Sequence, residues 1–228
     1  MSCMSDFDRY ASDYEDRMRK TLAVTLTSEE YQAAYKTELI KRYATRNHID
    51  HVSKILDFGC GVGLSIPSIQ KIFKGSQIFA TDTSKVSLQI LHQKFPSISV
   101  ISPDLETDER FDVIYLSTVL HHVTASERVP LLNKLKSLLS KNGCLFIVEH
   151  NTYNPLTLRI VANCEMDHDA ELISIRALRD LLTRDCSLKI IESGFCSFFP
   201  QPLRKLAKFD RIFSALPLGG QYYMVAGK

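Results

Sequence analysis

No stretch of this sequence approaches the roughly 18 consecutive apolar residues that a membrane-crossing helix needs. Its six cysteines, at 3, 60, 144, 164, 186 and 196, include no pair separated by two residues. Neither a zinc knuckle nor a redox pair is therefore expected. There is no excess of one charge: 28 Lys and Arg against 26 Asp and Glu leave +2. A dedicated nucleic-acid binder usually shows a strong basic excess, so no nucleic-acid partner is expected. The opening MSCMSDFDRYASDYEDR lacks an apolar core and does not read as a secretory signal. These absences lead us to expect a cytoplasmic protein with reduced thiols and no stable membrane insertion.

What is present is ordinary globular material: 228 residues, 45% hydrophobic and 24% charged. That length suits one domain with embellishments. It can bury about 70% of its unfolded surface, so the core needs no metal or staple. Cys144 and Cys196 lie in apolar, strand-like runs and read as small core residues.

Patterning predicts a first helix from Ser28 to about Asn47, with a serine cap and acids in its first turn. Short apolar runs at 52–58, 77–80, 97–101, 111–116 and 144–149 then read as strands. Helical patterns at 64–73, 84–94 and 127–140 separate them, and Asn142-Gly143 is expected to stop the last. Such alternation implies βαβ units and a parallel sheet covered on both faces. Beyond Glu149 the alternation loosens. A helical stretch follows Asn154-Pro155, another spans 173–183, and late strands are expected at 187–193 and 221–226. The basic, partly helical 200–217 lies between them. We expect one domain over 1–228: a helical cap over 1–50, a ligand-binding core over 51–150, and a substrate-side insert with the last strands over 151–228.

The most informative run is Asp57-Phe58-Gly59-Cys60-Gly61-Val62-Gly63. It falls where a first parallel strand hands over to a helix, the crevice in which open α/β sheets bind ligands. Three alternating glycines exceed what a tight turn needs. A dinucleotide fingerprint requires a glycine where Leu64 stands, and no Gly-Lys-Ser/Thr ending marks a phosphate loop. Asp57 would repel a phosphate and suits an ammonium or sulfonium instead. Asp82 comes nineteen residues after Gly63, at the end of the second strand, with Thr83 beside it. There a carboxylate can accept from both ribose hydroxyls, or cap the following helix. Asp104-Leu105 follows the third strand. The aspartate can accept from an adenine amine beside the Leu105 N–H, or be a plain loop residue.

Taken together, these residues resemble the class I S-adenosylmethionine-dependent methyltransferases. Ile55 to Gly63 looks like that family's first motif, and Asp82 and Asp104-Leu105 fall at its ribose and adenine positions. Phe111 to Ile114, Ser117 and Val119-Leu120-His121-His122-Val123 look like its fourth-strand motif. Lys141 to Leu145 resembles the turn into its fifth strand, and Gln221 to Val225 its reversed last strand. The resemblance implies a Rossmann-like three-layer αβα sandwich with a seven-stranded, mostly parallel sheet, one antiparallel strand and an N-terminal helical cap. It implies S-adenosyl-L-methionine as cofactor, held by Asp57, Gly59, Cys60, Gly61, Gly63, Asp82, Thr83, Asp104, Leu105 and Ser117. It implies methyl transfer to a small-molecule acceptor. The run Glu149-His150-Asn151 with Asn154 to Thr157 resembles a bacterial subgroup of glycan or secondary-metabolite pathways.

Methyl transfer from a sulfonium mainly needs positioning and exclusion of water. An alcohol or acidic carbon also needs a base, and His121, His122 and His150 follow strand ends where one would act. Tyr10, Tyr14, Glu149 and Asn151 are the candidate acceptor contacts. Asp167-His168-Asp169 reads as a polar loop; no metal is expected, since three consecutive residues rarely converge on one ion. The basic stretch 203–213 reads as a surface helix with its apolar side packed on the domain; the alternative is contact with a membrane-borne or phosphorylated acceptor. Other functions stay open: a non-catalytic nucleoside-binding protein, or a protein methyltransferase. A nicotinamide oxidoreductase is disfavoured by Leu64, and an exocyclic-amine methyltransferase by Leu116-Ser117-Thr118-Val119 where an Asn/Asp-Pro-Pro-Tyr tetrad would stand.

Overall fold

The computed structural model describes residue 8, residues 26–47, residue 49 and residues 51–228. Tyr10, Tyr14 and most of the expected 1–50 cap lie outside the described residues. Helix α1, Glu29–Arg46, starts at Ser28, whose side chain accepts from the Tyr31 N–H, with Glu29 and Glu30 in its first turn. Acids there complement the positive end of the helix dipole.

The strands are β1 Lys54–Phe58, β2 Gln77–Thr81, β3 Ser99–Val100, β4 Phe111–Ser117, β5 Leu139–His150, β6 Lys189–Cys196 and β7 Gln221–Gly227. Between them lie α2 Ile66–Ile72, α3 Lys85–Lys94, α4 Ala125–Leu138, α5 Pro155–Ala162, α6 Ile175–Asp180 and α7 Asp210–Phe213. All seven strands form one sheet in the order β3-β2-β1-β4-β5-β7-β6. Neighbours from β3 to β5 pair parallel, while β7 runs antiparallel to both β5 and β6. This is the expected Rossmann-like sandwich.

Side chains alternate across the sheet with period two, as strands dictate. Leu56, Ile114, Leu145 and Met224 face one way and pack with Leu132 and Leu135 of α4 and Leu178 of α6. Ile55, Val113, Phe146 and Val225 face the other way and pack with Ile40 of α1, Ile69 of α2 and Leu91 of α3. Each such fully buried aliphatic side chain stabilises the fold by about 1.5–3 kcal/mol. Cys144 and Cys196 are buried among them.

Two local expectations change. Asn142-Gly143 does not stop a helix; α4 ends at Leu138, and both residues lie inside β5, where its register with β4 shifts between Phe111 and Val113. Gly143 is needed for that close approach, because a Cβ there would sit 2.4 Å from the Phe111 carbonyl oxygen. The 203–213 stretch is helical, but its apolar side chains face solvent: Leu203, Leu206, Phe209, Ile212 and Phe213 are exposed. Among the described residues, no helix is long and apolar enough to cross a membrane.

Strand order reverses around β1, with β2 on one side and β4 on the other. The crevice at the carboxyl ends of β1 and β4 is therefore the switch point where this architecture binds ligands.

Candidate active site

The glycine loop leaves β1 at that crevice. The Gly59 and Cys60 N–H groups donate to the Thr81 carbonyl at 2.9 and 3.1 Å, tying the loop to β2. Gly59 has φ +71°, and a Cβ on it would lie 2.5 Å from Val119 Cγ2. Gly61 has φ +51°, but nothing lies within 4 Å of where its Cβ would be, so its backbone is open to a ligand. Gly63, at φ +87°, is hemmed by Leu91 and Phe95 and serves helix packing. The Gly61 N–H donates to Asp82 Oδ2 and the Ser84 N–H to Asp82 Oδ1, both at 2.8 Å. The cap of α3 is Ser84 and not Asp82. The Thr83 backbone also supports the Asp82 carboxylate, whose oxygens keep acceptor capacity beyond these partners. Asp8, the only described residue of the first 25, accepts from Ser84 Oγ at 2.6 Å, which places it at the start of α3.

Thr83 and Asp104 are exposed at the same edge. Leu105 is a correction. Its side chain is buried in the core and its N–H donates to the Ser102 carbonyl at 2.9 Å, so it has no donor to offer a ligand. Cys60 is buried, and burial raises its thiol well above the ordinary range.

Asp57 is 2% exposed, and its Oδ2 has no hydrogen-bond partner. Burial, reinforced by the charge of Asp82 and opposed by Lys36, pushes its carboxyl up to about 7. Lys36 comes from α1 and donates from Nζ to Ser117 Oγ at 2.9 Å. Burial lowers its ammonium to about 8, against the upward pull of Glu149 and Asp57. An open glycine, an unpartnered buried carboxylate and a buried ammonium thus meet at one crevice. That donor set fits an α-amino acid carried on a nucleoside: Asp57 for the ammonium, Lys36 for the carboxylate, Asp82 for the ribose hydroxyls.

After β4 the chain turns through Thr118, at φ +55°, into a short 3-10 helix, Leu120–His122. Glu149 of β5 organises this turn. Its Oε1 accepts from the Val119 and Leu120 N–H groups at 2.9 and 2.7 Å, and its Oε2 lies 2.6 Å from His121 Nδ1. Asp167 Oδ1 approaches from the insert, 3.6 Å from His121 Nε2 and 3.4 Å from His122 Nε2. Burial alone would lower the His121 imidazole, but the Glu149 and Asp167 carboxylates raise it to about 9. The ligand-type atoms of His121, His122 and Asp167 lie within 4.8 Å of one another. The His121 imidazolium sits between two carboxylates, Glu149 and Asp167. Arg128 of α4 locks the assembly, donating to the Leu120, Val123 and Glu171 carbonyls, while the Glu171 N–H donates to the His121 carbonyl.

These contacts reassign three expected residues. His121 and Glu149 are each 1% exposed and point at one another, so they position the turn and do not reach an acceptor. Asn151 is wholly buried; its Nδ2 donates to the Pro217 and Gly219 carbonyls and its Oδ1 accepts from the Tyr153 N–H. Asn151→Ala should therefore lower stability by about 2–3 kcal/mol, the scale for leaving such groups unpaired. Urea unfolding should show a lower midpoint at unchanged slope. His122 and His150 are half-buried. The His150 ring centroid is 5.0 Å from that of His121, and burial together with the His121 charge lowers its imidazole to about 4. His150 is thus a neutral ring at the carboxyl end of β5.

Sequence reasoning missed Lys36 and Arg128, and it read Asp167 only as part of a polar loop. Lys36 had a signal: it shares a helical stripe with buried Ile40 and Tyr43, where a lysine requires a partner. Arg128 had none, and the partners of Asp167 were not readable, because distant segments bring them together. A second groove, of about 420 Å³, opens between α1 and α7; it is lined by Tyr35, Arg42, Phe195 and Asp210, and by no residue of the glycine loop.

A reversed β7, a glycine loop at the β1 switch point and an acid after β2 define the Rossmann-like methyltransferase class. The chain belongs to the methyltransferase domain family, whose model matches residues 28–202. It is similar to trans-aconitate 2-methyltransferase of an Enterobacter strain, 32% identical over 113 residues, covering 48% of this chain and 42% of the relative. The curated relatives it matches are each spanned over less than half of their length. Among solved structures, it is similar to a TehB-like SAM-dependent methyltransferase of Corynebacterium glutamicum. The TM-score is 0.62 at 18% identity, over 96% of this chain and 98% of that one. Magnesium protoporphyrin IX methyltransferase of Synechocystis, solved with bound SAH, gives 0.62 at 16% identity over 96% of both chains. At such identities the likeness is one of fold.

Proposed function

We propose that this protein transfers a methyl group from S-adenosyl-L-methionine to a small-molecule acceptor, with glycan and secondary-metabolite intermediates the first classes to screen. The observation that carries the reading is the buried Asp57 carboxyl, its Oδ2 unpartnered and coupled electrostatically to the buried Lys36, in the same loop run as the open Gly61. The cofactor supplies an electrophilic methyl group on a sulfonium. The chain supplies the rest. Asp57, Lys36 and Asp82 fix the amino acid and ribose ends. His150, a neutral ring at the carboxyl end of β5, is the group we assign to take the acceptor's proton; with its imidazole lowered to about 4 it is a weak base, suited to an acceptor whose own proton is acidic. Glu149 and Asp167 hold His121 charged beside it, and burial together with that charge keeps the His150 ring unprotonated. Calorimetric titration with S-adenosylhomocysteine, with NADH in parallel, tests the cofactor. Micromolar binding of the first alone is expected; binding of NADH alone would overturn the reading.

Asp82→Ala should weaken S-adenosylhomocysteine binding by about 1–3 kcal/mol, the scale for hydrogen bonds to a charged acceptor. Unchanged affinity would show that Asp82 serves the loop only. Asp57 predicts a pH dependence. Its raised pKa means that, between the ordinary carboxylate range and about 7, the folded protein holds a proton the unfolded chain has lost. Ligand-free stability should therefore be fully present below that window and decline as pH rises through it. Ligand affinity should move the other way, because an ammonium needs the ionised carboxylate. It should fall up to about tenfold per unit below pH 7, with proton release on binding. Calorimetry in buffers of different ionisation enthalpy measures that release, and Asp57→Asn should abolish it.

A further inference from the structure

The segment between β6 and β7 presents an apolar and basic face that the fold does not use. Seven of the thirteen exposed large apolar side chains among the described residues fall within 203–218. Ile212 is 72% exposed and Leu218 68%. The segment is anchored from beneath by buried Ala207, in the α1-side core, and by Asp210, which accepts from the Tyr35 hydroxyl. Of its outer side chains, Phe213 packs its ring near Phe198 and Phe199, while Ile212 and Leu218 are the most exposed.

The exposed charge here has one sign. Arg204, Lys205, Lys208 and Arg211 are all exposed, while the only acid of the stretch, Asp210, is buried. Exposed apolar side chains interleaved with cations suit an anionic lipid surface: the first enter the headgroup boundary and the second meet lipid phosphates. A second copy suits it poorly, because a symmetric contact would set the same four cations against each other. A contiguous run of exposed apolar side chains rimmed by charge is the mark of an interaction site.

Its place in the fold gives it a use. β6 ends at Cys196 and β7 starts at Gln221, both at the edge where β5 ends in His150. The Asn151 and Asn154 side chains bind the Pro217, Leu218 and Gly219 carbonyls, so the face is fastened to the chain just beyond His150. On α5, directly after, Leu156 is also exposed. We infer that this face docks on an anionic membrane surface and that the acceptor is an amphiphile, its polar head entering the histidine edge while its apolar tail stays in the bilayer. The docking stands apart from the methyl-transfer reading; the acceptor class rests on it.

The test is co-sedimentation of the full chain with vesicles of phosphatidylglycerol and phosphatidylcholine in equal parts, against pure phosphatidylcholine. Binding to the anionic vesicles is expected to be at least about tenfold tighter and to weaken with added salt. The double variant Ile212→Asp with Leu218→Asp should lose about tenfold or more, with melting temperature and S-adenosylhomocysteine binding unchanged, since both side chains are exposed. Equal binding to both vesicle types, or full binding by the double variant, overturns the docking. So does a concentration-dependent dimer that the double variant abolishes in the absence of vesicle binding. For the acceptor, label from methyl-tritiated S-adenosylmethionine should enter the organic-soluble fraction of membranes from the encoding organism. Label in the water-soluble fraction alone overturns the amphiphile. Vesicle binding with no S-adenosylhomocysteine binding leaves the docking standing and removes the methyl-transfer reading.

Discussion

Glu149→Ala should cost about 3–5 kcal/mol of stability, the scale for breaking a buried, hydrogen-bonded ion pair. The carboxylate accepts from two backbone N–H groups and His121 at once. Removing it strands the Val119 and Leu120 donors and leaves the His121 imidazolium with Asp167 alone, 3.6 Å away. Losses in a domain of this size translate to about 2–4 °C per kcal/mol, so thermal melting should fall by about 10 °C. Glu149→Gln, which keeps an acceptor oxygen and the shape, should cost less. A loss below about 1 kcal/mol for the alanine variant would mean that the desolvation of this pair cancels its attraction.

Gly59→Ala should be the second severe change, at about 2–5 kcal/mol. A side chain at φ +71° costs about 1–2 kcal/mol. The Cβ would also lie 2.5 Å from Val119 Cγ2, an overlap that only movement of the post-β4 turn relieves; overpacking of that kind costs about 1–3 kcal/mol. Adding Val119→Ala should recover the steric part and leave the backbone part. Gly61→Ala is the contrast. Its φ of +51° carries a similar backbone cost, but open space surrounds the added methyl. Stability should fall by only about 1–2 kcal/mol, while S-adenosylhomocysteine affinity should fall steeply if Gly61 lines the ligand as we propose. Urea unfolding and calorimetry on the two variants separate folding from binding at neighbouring glycines.

The architecture was legible because its determinants are local. Runs such as Ile55-Leu56 and Leu145-Phe146-Ile147 fill both faces of a buried strand, and α4 repeats its leucines at helical spacing. The glycine loop and Asp82 were legible for the same reason: a turn that exposes bare backbone must be written in glycines at fixed offsets. Asp57 was legible as the acid closing the first strand, but its burial and raised pKa were not readable, because they depend on β2 and β4 flanking it.

Where sequence reasoning erred, it treated a polar residue at a strand end as a ligand contact. Glu149 and Asn151 do stand at the ligand edge. Their side chains turn inward, however, to satisfy backbone groups that two loops would otherwise bury unpaired. The amphipathic 203–213 stretch failed differently. Periodicity separates an apolar from a basic face, but it does not say which face meets the protein.

The sequence by itself determined the order of strands and helices, the glycine loop, the acid after the second strand and the histidines after the fourth and fifth. Each follows from spacing along the chain. Only the tertiary structure decided that Lys36 joins Asp57, that Asp167 reaches His121 across the insert, and that His121 serves as a buried cation beside His150. Charge pairing in a buried site depends on distance through space and on exclusion of water, and neither is a function of distance along the chain.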